Sequence, residues 1–158
     1  MNVLPTLDGG LCILPESDAD WHELELICSD VGRPAHLAES LADLMDSDSE
    51  WEQYVVPELE ENFNSQCRYV AAAIEHARDH NEHGVFITPA QAEKWYGAIN
   101  QARLSLEARY QLDTLENTIE DALGEVNDLE PELRSAYFRN RFYLFLQSMM
   151  LDYVMDAP

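Results

Sequence analysis

A chain of 158 residues with 46% apolar and 9% aromatic residues is the size of one domain and apolar enough to close a core, which sets it apart from disordered chains. Nine basic against 31 acidic residues leave a net charge of −22. That field repels nucleic-acid phosphates and anionic lipid, so it excludes direct binding to either and favours a basic protein partner or cations.

The chain opens on residues 1–9, expected as a loose N-terminal arm with neither the basic nor the apolar region of a signal peptide. Leu11–Leu14, between Gly9-Gly10 and Pro15, reads as a short buried strand. Ser17 or Asp18 then caps a helix with an acidic first turn, whose inward face carries Trp21, Leu24 and Ile27. Residues 35–46 place Leu37, Leu41, Leu44 and Met45 on one helical face. After a polar Asp/Ser run, a short helix with Trp51, Tyr54 and Val55 breaks at Pro57. A longer helix follows, with Phe63, Cys67, Val70, Ile74 and Ala77 at three- and four-residue steps, and Gly84 is its expected stop.

The segment Val85–Leu112 is the expected hub: a short strand at 85–88, Pro89, then about six turns of helix. Ile13-Leu14-Pro15 precedes Trp21 by the same offset at which Ile87-Thr88-Pro89 precedes Trp95. The parallel predicts a two-stranded ladder between 11–14 and 85–88, with each tryptophan entering a common core. Residues 113–126 repeat the helical pattern with Leu115, Ile119 and Leu123. Pro131 opens the last helix, running to about Met155 and apolar almost all round, so it is buried either by the domain's own core or by a second copy. No apolar run approaches the roughly 18–20 residues of a membrane span, and the expected compartment is the cytoplasm.

Three constellations bear on chemistry. His76 and His80 stand at i and i+4 with His83 one turn on, a spacing that can hold Zn²⁺ together with Asp79 or Glu82. They also sit where a helix ends, which the helix dipole favours by itself, and the His-Glu-x-x-His order of zinc peptidases is missing. Cys12, Cys28 and Cys67 have no Cys-x-x-Cys spacing, and their odd number and apolar neighbours predict reduced, buried thiols. Asn100, Arg103 and Glu107 line one side of the central helix, with Arg109 further along. A buried Arg103 must be paired, either locally with Glu107 or with a distant acid that ties the helix to another element. This row is a candidate structural or binding clasp. No phosphate loop, dinucleotide fingerprint, nucleophile elbow or calcium loop occurs, so no cofactor is implied and no catalytic residue is assigned.

The run Trp95-Tyr96-Gly97-Ala98-Ile99-Asn100-Gln101-Ala102-Arg103-Leu104-Ser105-Leu106 resembles the Trp-x-x-Ala-Leu-Asn-x-x-Arg-Leu-x-Leu signature of an uncharacterised, mainly actinobacterial family, the domain of unknown function numbered two thousand and seventeen. Arg109 matches a second arginine of that pattern, and Tyr143–Gln147 is similar to the family's aromatic closing segment. Glu107 departs from it, standing where a glycine is usual, and so does Ile99, which stands for its leucine. The resemblance implies a small, soluble, cytoplasmic helical protein with no established catalytic activity. Relatives are commonly encoded beside an adaptor of an ATP-dependent protease, which links them to proteostasis by association only.

The expected architecture is therefore mainly α: a single-domain orthogonal bundle of six or seven helices over residues 1–158, with at most a two-stranded ladder. Its expected core is Trp21, Leu24, Ile27, Leu41, Phe63, Val70, Ile74, Trp95, Ile99, Leu106, Leu123, Phe138, Phe142, Phe145 and Met149. The expected function is a non-catalytic acidic interaction or regulatory module that binds a basic protein partner, or itself through the final helix. The alternative is a metal-binding protein or metal-dependent enzyme built on His76, His80 and His83.

Overall fold

The computed structural model describes residues 1–31, 56–112 and 129–155. The structure is mainly helical with one small sheet, and it corrects the expected ladder from two strands to three. Strands β1 (Asn2–Pro5), β2 (Leu11–Leu14) and β3 (Val85–Ile87) lie side by side in that order, each pair antiparallel. The pairing of β2 with β3 runs Leu11 to Ile87, Cys12 to Phe86 and Ile13 to Val85, which is the ladder read from the sequence.

The added strand is the segment expected to be a loose arm. Thr6 and Gly10 close the β1–β2 hairpin through Thr6 N–H to the Gly10 carbonyl at 2.9 Å and Gly10 N–H to Thr6 Oγ1 at 3.0 Å. Gly9 supplies the left-handed conformation at φ +87°. At Gly10 a β-carbon would lie 2.3 Å from the Ile87 carbonyl oxygen, so only glycine lets β2 approach β3 this closely. Val3, Ile13 and Val85 share the inner face, where the two-residue period of the strands puts them opposite one another.

Four α-helices follow among the described residues, against the six or seven expected. The helices read at 35–46, around Trp51 and at 113–126 lie outside the described residues, as do the core candidates Leu41 and Leu123. Helix α1 (Asp18–Val31) is capped by Ser17, whose Oγ accepts the Asp20 N–H at 3.3 Å. Helix α2 (Val56–Asp79) ends not at Gly84 but at Asn81, which takes the left-handed conformation at φ 51° while the Glu82 N–H bonds the Ala77 carbonyl. Gly84 serves the sheet instead: a β-carbon there would meet the Ile13 carbonyl oxygen at 2.7 Å.

Pro89–Gln91 makes one 3₁₀ turn into α3 (Ala92–Tyr110), which ends at a left-handed Gln111. Helix α3 packs against α1, α2 and α4, so the hub expected from the sequence is the hub of the structure. Trp95, Ala98, Ile99, Ala102 and Leu106 are fully buried along it at three- and four-residue steps. They meet Leu24 and Ile27 of α1 and Val70 and Ile74 of α2 in one core. Trp21, expected inside with Trp95, is only half-buried at its edge, and Phe63 is only half-buried as well.

Helix α4 (Pro131–Met150) starts at a proline and runs into a π turn, Leu151–Met155. Here the expected core is overturned in part. Phe138 and Phe145 are 50% and 48% exposed, and Phe142 and Met149 are half-buried. The inward face is instead Ala136, Asn140, Tyr143, Leu146, Gln147, Met150 and Val154. Polar bonds decide the rotation: Tyr143 OH donates to Asp30, and Gln147 Nε2 donates to Asn100 Oδ1 at 3.1 Å. Turning the phenylalanines inward would break both and leave buried acceptors empty.

Candidate functional site

Helix α3 carries the row singled out by spacing. Arg103 Nη1 donates to Glu107 Oε1 at 3.1 Å and Nη2 to Asn100 Oδ1 at 3.0 Å, so its pairing is the local one. Asn100 also accepts from Gln147, and through it the row reaches α4. Arg109 stands apart and exposed, its guanidinium 6.0 Å from the Tyr110 ring.

The carboxylate–guanidinium pair that ties distant elements lies elsewhere. Asp30, near the end of α1 and 2% exposed, accepts from Arg139 Nε at 2.8 Å and Nη2 at 3.0 Å and from the Tyr143 hydroxyl. This fork is the bidentate geometry that suits a guanidinium. Asp30 raises the pKa of Arg139, and burial together with the same carboxylate raises that of Tyr143. Both donors therefore keep their protons at neutral pH. Asp30 accepts three hydrogen bonds from α4, so it is a joint between α1 and α4.

A third polar link joins α2 to α3. Gln101 Nε2 donates to Gln66 Oε1 at 2.7 Å, and Gln66 lies directly over Gly97, where a β-carbon would meet its amide at 2.4 Å. Lys94 adds a cation–π contact to Tyr69, 4.6 Å from the ring centroid.

The histidines are placed by the end of α2. The His76 and His80 rings lie with centroids 4.1 Å apart, and His80 Nδ1 bonds the His76 carbonyl oxygen at 2.8 Å. His76 Nε2 lies 3.9 Å from Glu82, and His83 is exposed beyond the left-handed Asn81. Among the described residues no three histidine, cysteine or acidic side chains converge on a cation position. Nδ1 of His80 is turned onto its own helix, which leaves Nε2 as its only ring nitrogen open to a ligand.

Among the described residues, clefts flank α1 on two sides. One, of about 520 Å³ between α1 and α2, is lined by Glu25, Cys28, Glu75, Arg78 and Asp79 among others, with Arg78 bonded to Glu25 at 2.5 Å. The other, of about 280 Å³ between α1 and α4, lies over Arg139 and Ser135. Another surface feature is the outward stripe of α4, where Phe138, Phe142, Phe145 and Met149 follow one another at steps of four, three and four residues.

Sequence reasoning missed the Asp30–Arg139–Tyr143 joint. Its signal was present: Arg139 and Tyr143 are one turn apart, and Asn140 and Gln147 share their side of an otherwise aromatic helix. Polar residues at core spacing mark the side that must find partners inside.

No helix among the described residues is long and apolar enough to cross a membrane. No curated protein and no solved structure matches the chain. The family described as "Domain of unknown function (DUF2017)" matches residues 19–155, which run from the first turn of α1 through α4 and include β3. The chain belongs to that family.

Proposed function

We propose that the chain is a non-catalytic interaction module whose acidic surface holds a basic protein partner. The uneven placement of charge carries this reading. Helix α1 has five acids and no lysine or arginine, and α2, packed against it, has five acids and two arginines. Helix α4 reverses the balance, with three arginines and one glutamate. Among the described residues the acids thus collect on the α1–α2 layer, where Asp18, Glu25, Glu58, Glu61, Glu75 and Asp79 are exposed. A one-sided field of this kind steers a partner of opposite sign onto one face.

Within the same reading, self-association falls to α4, among the described residues the one long helix whose outward side is apolar and which escapes the repulsion that −22 imposes on two copies elsewhere. The partner, isolated by cross-linking in the native host and then purified, gives the test. Affinity is expected to fall at least about tenfold between roughly 0.05 and 0.5 M salt. The combined variant Glu58→Gln, Glu61→Gln and Glu75→Gln is expected to flatten that slope. Equal affinity at both salt concentrations refutes the charge-driven mode.

A further inference from the structure

Two of the three cysteines meet where α1 and α2 pack. Cys28 Sγ donates to the Cys67 carbonyl oxygen at 3.2 Å, which brings the two cysteines side by side, and each thiol shifts the pKa of the other. Both are free and partly exposed, and Cys28 lines the cleft of about 520 Å³. Cys12 is buried away from them in the central strand β2. The α1–α2 seam thus holds a thiol pair with an opening to solvent, which neither the charge reading nor the polar joints employ.

We propose that this pair is a site of oxidation by hydrogen peroxide, with Cys67 as the attacking thiolate and Cys28 as the resolving thiol, so that a disulfide staples α1 to α2. In the first step the Cys67 thiolate attacks one peroxide oxygen and the O–O bond breaks. The other oxygen leaves as hydroxide and takes up a proton, and Cys67 becomes a sulfenic acid. In the second, the Cys28 sulfur gives up its proton and attacks the Cys67 sulfur. The S–O bond breaks, the S–S bond forms, and the released hydroxide takes a proton to become water. Two thiols and one peroxide become one disulfide and two waters, with each sulfur oxidised by one electron and the peroxide reduced by two.

The roles follow from the environments of the two sulfurs. When Cys67 ionises, the Cys28 S–H can turn from the Cys67 carbonyl oxygen to the new thiolate, and this neighbour lowers the Cys67 pKa from the ordinary 9.0 to about 7. Cys28 is shifted upward by that same neighbour and by burial, so it stays protonated until the sulfenic acid forms beside it. The walls select the oxidant. On the side of the pair where Cys28 meets the cleft, Glu25, Glu75 and Asp79 outnumber Arg78, which is already paired with Glu25, so an anionic disulfide such as oxidised glutathione is repelled from that approach and a neutral, water-sized peroxide is not.

The test uses the full-length protein, reduced and then exposed to hydrogen peroxide in modest excess. Intact mass is expected to fall by about 2 Da, with the non-reducing peptide map joining Cys28 to Cys67 and leaving Cys12 free. In Cys28→Ser the reaction is expected to stop at a sulfenic acid on Cys67 that a dimedone probe traps. In Cys67→Ser the oxidation of Cys28 is expected to be at least about tenfold slower. Oxidised glutathione at equal concentration is expected to react more slowly than peroxide. No loss of mass, a link that includes Cys12, or a link between chains overturns the proposal. Equal rates at the two thiols overturn the roles, and glutathione reacting as fast as peroxide overturns the choice of oxidant. The wild-type peptide map decides the pairing even if a serine variant fails to fold.

Discussion

Replacing Asp30 by alanine separates a joint that holds α1 to α4 from one that merely decorates the seam. The carboxylate is 2% exposed, and the Arg139 side chain beside it only 11%. Removing the acid leaves a guanidinium and the wholly buried Tyr143 hydroxyl without their acceptor. Breaking a buried ion pair from one side costs about 3–5 kcal/mol, and a buried hydroxyl left unpaired about 1–3 kcal/mol. The two costs do not simply add, because Arg139 Nη1 already reaches Ser135 on the exposed side and can turn further outward. Tyr143 has no such exit.

The expected loss for Asp30→Ala is therefore about 3–5 kcal/mol, a large share of the roughly 5–15 kcal/mol that holds a domain together. Urea unfolding followed by tryptophan fluorescence measures it, since Trp95 is fully buried in the same core. The informative contrast is a variant combining Asp30→Leu, Arg139→Met and Tyr143→Phe. It removes every member of the joint together and leaves nothing unpaired, so it is expected to be more stable than Asp30→Ala by at least about 1 kcal/mol. A loss below about 1 kcal/mol for Asp30→Ala refutes the argument. So does a combined variant as unstable as the sum of its single changes.

Three other outcomes are expected. The Tyr143 pKa is higher in the folded than in the unfolded chain, so its contribution is complete below about pH 10 and is lost as pH rises beyond it, at up to about 1.4 kcal/mol per pH unit. Alkaline urea titrations should show a shallower loss for Tyr143→Phe than for the wild type. Gly97→Ala drives a methyl into the Gln66 amide, so it should break the Gln66–Gln101 bond and cost about 1–3 kcal/mol by chemical unfolding. Phe138→Ser with Phe145→Ser touches exposed positions, so stability should change by no more than about 1 kcal/mol. Light scattering should meanwhile show the particle mass fall from that of a dimer to that of one chain.

The sequence made some of this plain and hid the rest for identifiable reasons. The β2–β3 ladder was legible because Leu11–Leu14 and Val85–Ile87 are short apolar runs bounded by glycine and proline, and because each feeds a proline-started helix. Strand β1 was not, since Asn2–Pro5 has no alternation beyond Val3, and its place depends on the Thr6–Gly10 turn and on the backbone of β2. Asn81 competed with Gly84 for the end of α2. Glycine is the commoner left-handed residue, but asparagine also takes that conformation, and Gly84 was already required where β3 crosses β2. Within the clasp row, spacing alone placed Arg103 with Asn100 and Glu107, because residues three and four apart on a helix are neighbours. The Cys28–Cys67 contact spans 39 residues and crosses two helices, and no local pattern encodes such a meeting.

The rotation of α4 shows why hydropathy alone chose the wrong side. Both faces of the helix are apolar enough to bury, so transfer free energy barely separates an orientation with Phe138 and Phe145 inside from one with Tyr143 and Leu146 inside. What separates them is Asp30. A carboxylate fixed at the end of α1 inside the core has to find donors, and only the face bearing Arg139 and Tyr143 provides them. Asn100 makes the same demand one step further along and is met by Gln147. The polar groups thus set the direction of the helix, and the displaced phenylalanines become surface. In a chain of net charge −22, an apolar stripe on its most arginine-rich helix is left as the place where a second copy meets the least repulsion. Interior hydrogen bonding and the proposed outer contact are then two consequences of a single choice of rotation.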